Sequence, residues 1–296
     1  MKLLAALTAA SCLLTTAASA SDLSNTNSDK SQYNLFNPTP RDLMRPMNSD
    51  EYDNVFDAHT LDAGHFQIEG SLIDYYHYSA HYDFTGEAYR FEEYEYSWEP
   101  RFRVGLLNNV DFEVRPTYEI RSENYNGAYF SPYAPYAFDS TRRISDFERI
   151  ALGPKINLWG NDEGPTALAI HPYLSVSPRS GPLLGGADIP FGVFMPWGLY
   201  LKLDTEIYLT DNSHRTDYVG FDNSISLHKT VCSKAEVYWY LDSVVTSDES
   251  QSWYGSSGFG VIYNLTPDLQ FFGGIGFGLD SAAFDYNPRF GIVFRL

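Results

Sequence analysis

Residues 110–121 read VDFEVRPTYEIR, and their alternation decides the fold. Val110, Phe112, Val114, Pro116, Tyr118 and Ile120 fall on one set of alternate positions, and Asp111, Glu113, Arg115, Thr117, Glu119 and Arg121 on the other. Successive side chains of a strand point to opposite faces, so the segment has one apolar wall and one ionic wall. A soluble sheet buries the first wall. A membrane barrel turns it to lipid and encloses the second.

Working outward, FEEYEYSWEPRFRVGLL (91–107) puts Tyr94, Tyr96, Trp98, Phe102, Val104 and Leu106 against Glu93, Glu95, Ser97, Glu99, Arg101 and Arg103. The turn Leu107, Asn108, Asn109 joins it to the quoted stretch as a hairpin. Ile150, Leu152, Pro154, Ile156 and Leu158 alternate with Arg149, Gly153, Lys155 and Asn157, and the pattern returns in 167–176 and 199–209. Further strands are predicted near 66–78, 189–197, 218–228, 233–243, 253–263, 269–279 and 288–296. The fold class is therefore all-β, an antiparallel transmembrane β-barrel of about twelve strands, each of roughly ten residues. Short turns alternate with longer loops, the longest predicted over 122–146. That asymmetry between rims, with an even strand count, places both chain ends on the short-turn, periplasmic side.

The start, MKLLAALTAASCLLTTAASA, reads as a signal peptide cleaved after Ala20, and a lipoprotein reading with Cys12 as acceptor is the rival. Residues 21–64 read as a flexible periplasmic extension and residues 65–296 as the barrel. Loss of Lys2 with the signal moves the formal charge from −18 to −19, which argues against a nucleic-acid partner. Cys232 is then the one cysteine left, so no intrachain disulfide or zinc-type cysteine spacing is available. With 23 tyrosines, 20 phenylalanines and only four methionines, the chain is richer in interfacial rings than a soluble protein needs. Tyr76, Tyr78, Tyr94, Trp197, Tyr218, Trp253 and Tyr263 sit near strand ends as expected for aromatic girdles. At the C-terminus, Arg289, Gly291, Phe294 and Leu296 fit the pattern polar, glycine, aromatic, hydrophobic. It resembles the terminal signal read by the outer-membrane assembly machinery, with Leu where Phe is commoner. The apolar wall then faces outer-membrane lipid.

LDAGHFQIEG (61–70), preceded by NPTPRDLMRP (37–46), resembles the MetA-pathway of phenol degradation family of bacterial outer-membrane barrels. The similarity extends to Arg103, Gly105, Leu106, Glu113 and Arg115 in 98–116, and to Gly153 and Lys155 in 150–159. NSDEYDNVFDAHT (48–60) departs from the family, whose members often carry an Asp-Arg-Pro-Asp-like stretch there. The resemblance implies a transport-like role in passing small molecules, without fixing phenol as the solute.

Glu93, Glu95, Glu99, Arg101, Arg103, Glu113, Arg115, Glu119, Arg121, Arg149 and Lys155 are the candidate pore-lining set. They form either a selectivity wall for polar, aromatic or anionic solutes or a set of mutually paired charges filling a narrow lumen. Gly258, Gly260, Gly274, Gly276 and Gly278 face inward, leaving open volume or admitting bulky neighbours. The loop 124–138 either folds over the pore mouth or packs its rings against other loops. His77 and His81 make a weak metal pair, and no cofactor is implied. Ser226 and His228 share the lumen face without an assignable third residue, so an enzyme is not expected. The alternatives are a structural or surface-interaction barrel with a plugged lumen and, behind it, a barrel lipid hydrolase.

Overall fold

A computed structural model describes residues 29–84, 87–129, 136–162, 164–177, 183–211, 217–247 and 253–296. The signal peptide and the centre of the loop 124–138 lie outside these residues. The described chain holds fourteen strand segments: β1 (Phe66–Phe84), β2 (Glu87–Trp98), β3 (Arg101–Leu107), β4 (Val110–Tyr129), β5 (Tyr136–Trp159), β6 (Thr166–Val176), β7 (Leu183–Asp188), β8 (Phe191–Met195), β9 (Leu199–Asp211), β10 (Asp217–Cys232), β11 (Ala235–Thr246), β12 (Tyr254–Thr266), β13 (Leu269–Gly278) and β14 (Tyr286–Arg295). All pairings are antiparallel, and β14 pairs with β1, closing the sheet. Both β2 and β3 lie between β1 and β4, and both β7 and β8 lie between β6 and β9. Each pair is one barrel strand, interrupted at Pro100 or Pro190, because proline has no N–H to give the ladder. The barrel therefore has the expected twelve strands.

The facing is inverted relative to a soluble sheet. In β4, Asp111, Glu113, Arg115 and Thr117 are buried, while Ile120 is 41 % exposed. Phe102, Leu152 and Leu158 on neighbouring strands are also exposed. A barrel whose outside is apolar and whose inside is ionic has the faces that lipid outside and polar contents inside require.

Two expectations need correction. The region 122–146 is mostly strand, with β4 and β5 paired from Val110↔Ile156 to Tyr129↔Tyr136. β5 is 24 residues long, against about 9–11 needed to cross a bilayer, so the hairpin runs on past the apolar band. Hydrophobic alternation ends where the strands leave lipid, although backbone pairing does not. Tyr76 and Tyr78 are not outward girdle residues. A bulge between Ser71 and Ile73 shifts the register, so Asp74 takes over the inward face from Ser71. Tyr75 and His77 instead join the outer ring cluster, with His77 stacked 4.9 Å from Tyr286.

The inward glycines make room for rings. A Cβ on Gly258 would meet the Tyr240 ring at 2.5 Å and one on Gly276 its hydroxyl at 2.3 Å, and one on Gly260 or Gly274 would meet Tyr238 at 2.3 or 2.6 Å. The tyrosines lie across the glycine-lined strands and fill the volume.

Candidate functional site

The barrel contains its own N-terminal segment. Residues 30–46 cross the short-turn rim, where Arg41 pairs with Asp268 at 2.5 Å and Lys30 and Arg45 pair with Asp162 at 2.7 and 2.9 Å. The next residues turn into the lumen: Ser49, Asp50, Asp53, Val55, Asp57 and Ala58 are all at most 1 % exposed. Residues 29–64 are thus packed on and in the barrel, in place of the flexible extension expected from their composition. The departure NSDEYDNVFDAHT turns out to be this inserted stretch.

Residues 47–63 form no helix or strand, so their backbone groups need side-chain partners. The lumen wall supplies them. The Asp50 and Leu61 amides donate to Glu69 and Asp111 at 3.0 and 2.7 Å, and Asn157 Nδ2 donates to the Ala58 carbonyl at 2.8 Å. Tyr238 Oη donates to the Tyr52 carbonyl at 2.8 Å, and the Tyr52 hydroxyl donates to Gln270.

Its acidic side chains meet the basic wall one by one. Asp50 pairs with Lys155 and, at 3.4 Å, with Arg103; Glu51 pairs with Arg101 at 3.0 Å and Arg289 at 3.4 Å. Asp53 lies 2.9 Å from Lys202 and 2.6 Å from His228. Asp57 accepts from Tyr200 at 2.7 Å and sits 2.6 Å from His59. The Phe56 ring is wedged below the Arg101 guanidinium at 4.5 Å.

These partners set the carboxyl affinities. Burial alone would raise Asp50, but Lys155, Arg103 and Arg101 outweigh it and hold the group below its ordinary value. Burial is likewise overcome by Lys202 and His228 at Asp53, and by His59 and Lys202 at Asp57, so both are lowered. Glu51 moves the other way, because burial exceeds the help from Arg101 and Arg289.

The eleven sequence candidates all lie on inward-facing positions, in two tiers. Arg101, Arg103, Glu113 and Lys155 form the lower tier around the inserted segment, with Arg103 also on Glu69 and Asp111 at 3.0 and 2.6 Å. The upper tier pairs within itself. Arg115 and Arg149 share Glu99 at 3.3 and 3.6 Å, and Arg121 holds Glu93, Glu95 and Glu119 at 3.2–3.3 Å. Lys202, His228 and Arg289 complete the basic surround and were not in the expected set. The acid density of residues 50–57 was the available signal for them.

His228 clarifies the Ser226–His228 pair. Its Nε2 is 2.6 Å from Asp53 and 3.1 Å from Ser226 Oγ, and its Nδ1 is 2.6 Å from Glu236. Asp53 occupies the ring nitrogen that a serine nucleophile would use, and Ser226 is fully buried beneath the segment. The pair pins the inserted segment. His77 pairs with Asp285 at 3.0 Å, and the His81 side chain lies outside the described residues. At the C-terminus, Arg289 and Gly291 point inward while Leu296 is exposed and exchanges backbone hydrogen bonds with Phe66.

Below the segment, at the short-turn end, lies a cavity of about 1090 Å³ lined by His59, Tyr200, His228, Glu236, Gln270 and Arg295.

The barrel has a solved counterpart. The chain is similar to the COG4313 outer membrane channel from Pseudomonas putida F1, with a TM-score of 0.53 over 84 % of this chain and 100 % of that one at 9 % identity. The NanC porin aligns with a TM-score of 0.48 over 78 % of this chain and 100 % of that one, also at 9 % identity, which is too loose to carry weight. At such identity the likeness establishes the barrel fold alone. No protein-family model matches the sequence, and no curated protein does.

Proposed function

We propose that the chain is an outer-membrane channel of the MetA-pathway of phenol degradation type, exported behind residues 1–20 and inserted by the barrel-assembly machinery through its C-terminal signal. It passes small molecules passively and is closed at rest by residues 47–63. The observation that carries this reading is the inserted segment itself. It is held by ion pairs and hydrogen bonds, with no covalent bond among the contacts described, and a cavity lies beneath it. A stopper held by charges can be released, whereas a lumen filled by wall side chains cannot. The resemblance in residues 37–70 and 98–159 supports the family assignment, and the likeness to a solved channel barrel agrees with it in fold. Lys155 has its ion pair with the segment, whereas Arg101 and Arg103 also pair with the wall residues Glu113, Glu69 and Asp111, so Lys155 is the cation that an anionic solute meets once the segment has moved.

The test is conductance in planar bilayers of the mature chain and of the Asp50→Asn, Asp53→Asn variant. Rare, small steps in the first and frequent, larger steps in the second are expected. A second reading, a structural barrel whose lumen stays shut, is favoured by the number of contacts that hold the segment. Silence from both proteins after verified insertion would select it.

A further inference from the structure

The upper lumen is electrically lopsided. On the β2–β5 side, arginines and glutamates pair with one another. On the β7–β11 side, carboxylates stand in two adjoining cross-strand rows. Asp188, Glu206 and Asp222 are direct neighbours across β7, β9 and β10; Asp204, Ser224 and Asp242 are direct neighbours across β9, β10 and β11. Facing positions on adjacent strands put Cβ atoms about 5 Å apart, where like charges repel. From β7 to β13 the basic side chains of the strands are Lys202, His228 and Lys229, all toward the short-turn end, and Lys202 and His228 are taken by Asp53. Arg115 and Arg149 are the basic groups that act on Glu206 from the opposite side, and both are engaged by Glu99.

Some of these acids have a partner: Asp188 meets His171 at 3.0 Å, Glu206 accepts from Tyr173, and Asp242 accepts from Ser256 at 3.1 Å. A second observation goes beyond the clustering. One carboxylate oxygen on each of Asp204, Asp222 and Asp242 is buried without a hydrogen-bond partner, and Asp204 is only 7 % exposed. Such oxygens are costly unless a donor or cation meets them. Two tyrosine rings lie in the inward rows that flank these two, one on each side. Tyr208, next inward after Glu206, covers Gly220, and Tyr240, next before Asp242, covers Gly258 and Gly276. Among the described residues no three His, Cys, Asp or Glu side chains are close enough to hold a metal ion. Carboxylates spaced too widely for a metal, beside aromatic faces, suit an organic ammonium ion.

We infer that the β7–β11 wall is a binding site for small organic ammonium ions, formed by Asp204, Asp222 and Asp242 with the rings of Tyr208 and Tyr240. The inference deepens the channel reading and rests on it, naming the solute class that the outer half of the lumen admits. It reverses the sign expected from the arginines alone.

The experiment is equilibrium binding of benzyltrimethylammonium and, separately, benzoate to the mature chain refolded in detergent. The Asp222→Asn, Asp242→Asn variant is run beside it, with heat-modifiable gel mobility reporting the folded barrel. Binding of the ammonium ion but not benzoate, weakened roughly tenfold in the variant, is expected. Equal binding of benzoate, no ammonium binding by the parent chain, or undiminished binding by a folded variant would each overturn it. Should the double variant fail to fold, Asp222→Asn alone must weaken the ammonium ion and leave benzoate unbound. Binding needs no flux, so a protein that conducts without binding refutes this inference alone. One that binds without conducting refutes the channel reading alone.

Discussion

At the residue scale, two glycines explain the family-like motifs in physical terms. A Cβ on Gly105 would lie 2.0 Å from the Asp62 carbonyl oxygen, so the descending segment can pass over β3 only because this position is bare. Gly64, with φ of +79°, makes the turn from the segment into β1, and its amide donates to the Gly105 carbonyl at 2.8 Å. Gly105→Val should displace residues 47–63 and leave the ring of strands intact. Protease cleavage within the segment, with unchanged heat-modifiable mobility, checks that outcome; a protected segment would show the contact to be dispensable. Lys155→Met leaves Asp50 buried with Arg103 as its nearest remaining cation, which should cost about 3 kcal/mol of docking, read as loss of the same protection. Facing is equally testable by substitution. Phe112→Asp places a charge in lipid and should oppose insertion by up to about 2 kcal/mol, while Glu113→Gln is tolerated. Equal yields of folded barrel from the two would break the facing assignment.

At the element scale, the inserted segment should respond to pH. Asp50, Asp53 and Asp57 have lowered affinities when docked, whereas the free segment titrates near the ordinary value of about 3.9. Lowered carboxyls stabilise docking fully above that value and lose the contribution as pH falls through the docked values. Glu51 is raised when docked and works in the opposite sense, one group against three. A spin label at Asn48→Cys, in a Cys232→Ser background, should therefore be immobile at neutral pH and gain mobility progressively as pH falls below about 4. Constant mobility down to about pH 2 would show that the ion pairs do not control docking. The strands themselves were legible because lipid enforces alternation on every one of them, and the charged inward set was legible for the same reason. The segment was not, because it has no period: its structure comes from partners on strands far along the chain, from Glu69 and Arg101 to Lys202 and His228. The bulge at Ser71 was equally silent in sequence, and a single extra residue there reversed the facing of Tyr76 and Tyr78. The length of the β4–β5 hairpin was hidden because polar residues on both faces look like loop once the chain leaves lipid.

At the scale of the whole molecule, the chain is a barrel with an apolar outside, an ionic inside and a stopper made from its own N-terminal residues. The central claim is the inverted facing, since the lumen, its closure and its selectivity all depend on it. All five tryptophans bear on it without any substitution: Trp98, Trp159, Trp197, Trp239 and Trp253 are each 44 to 83 % exposed on the barrel. The most direct measurement is the intrinsic tryptophan fluorescence of the mature protein in bilayers of brominated lipid, against iodide in the aqueous phase. Strong quenching by the brominated chains and weak quenching by iodide are expected. Strong iodide quenching with none from brominated lipid would mean that the exposed face meets water, and the membrane reading would be wrong.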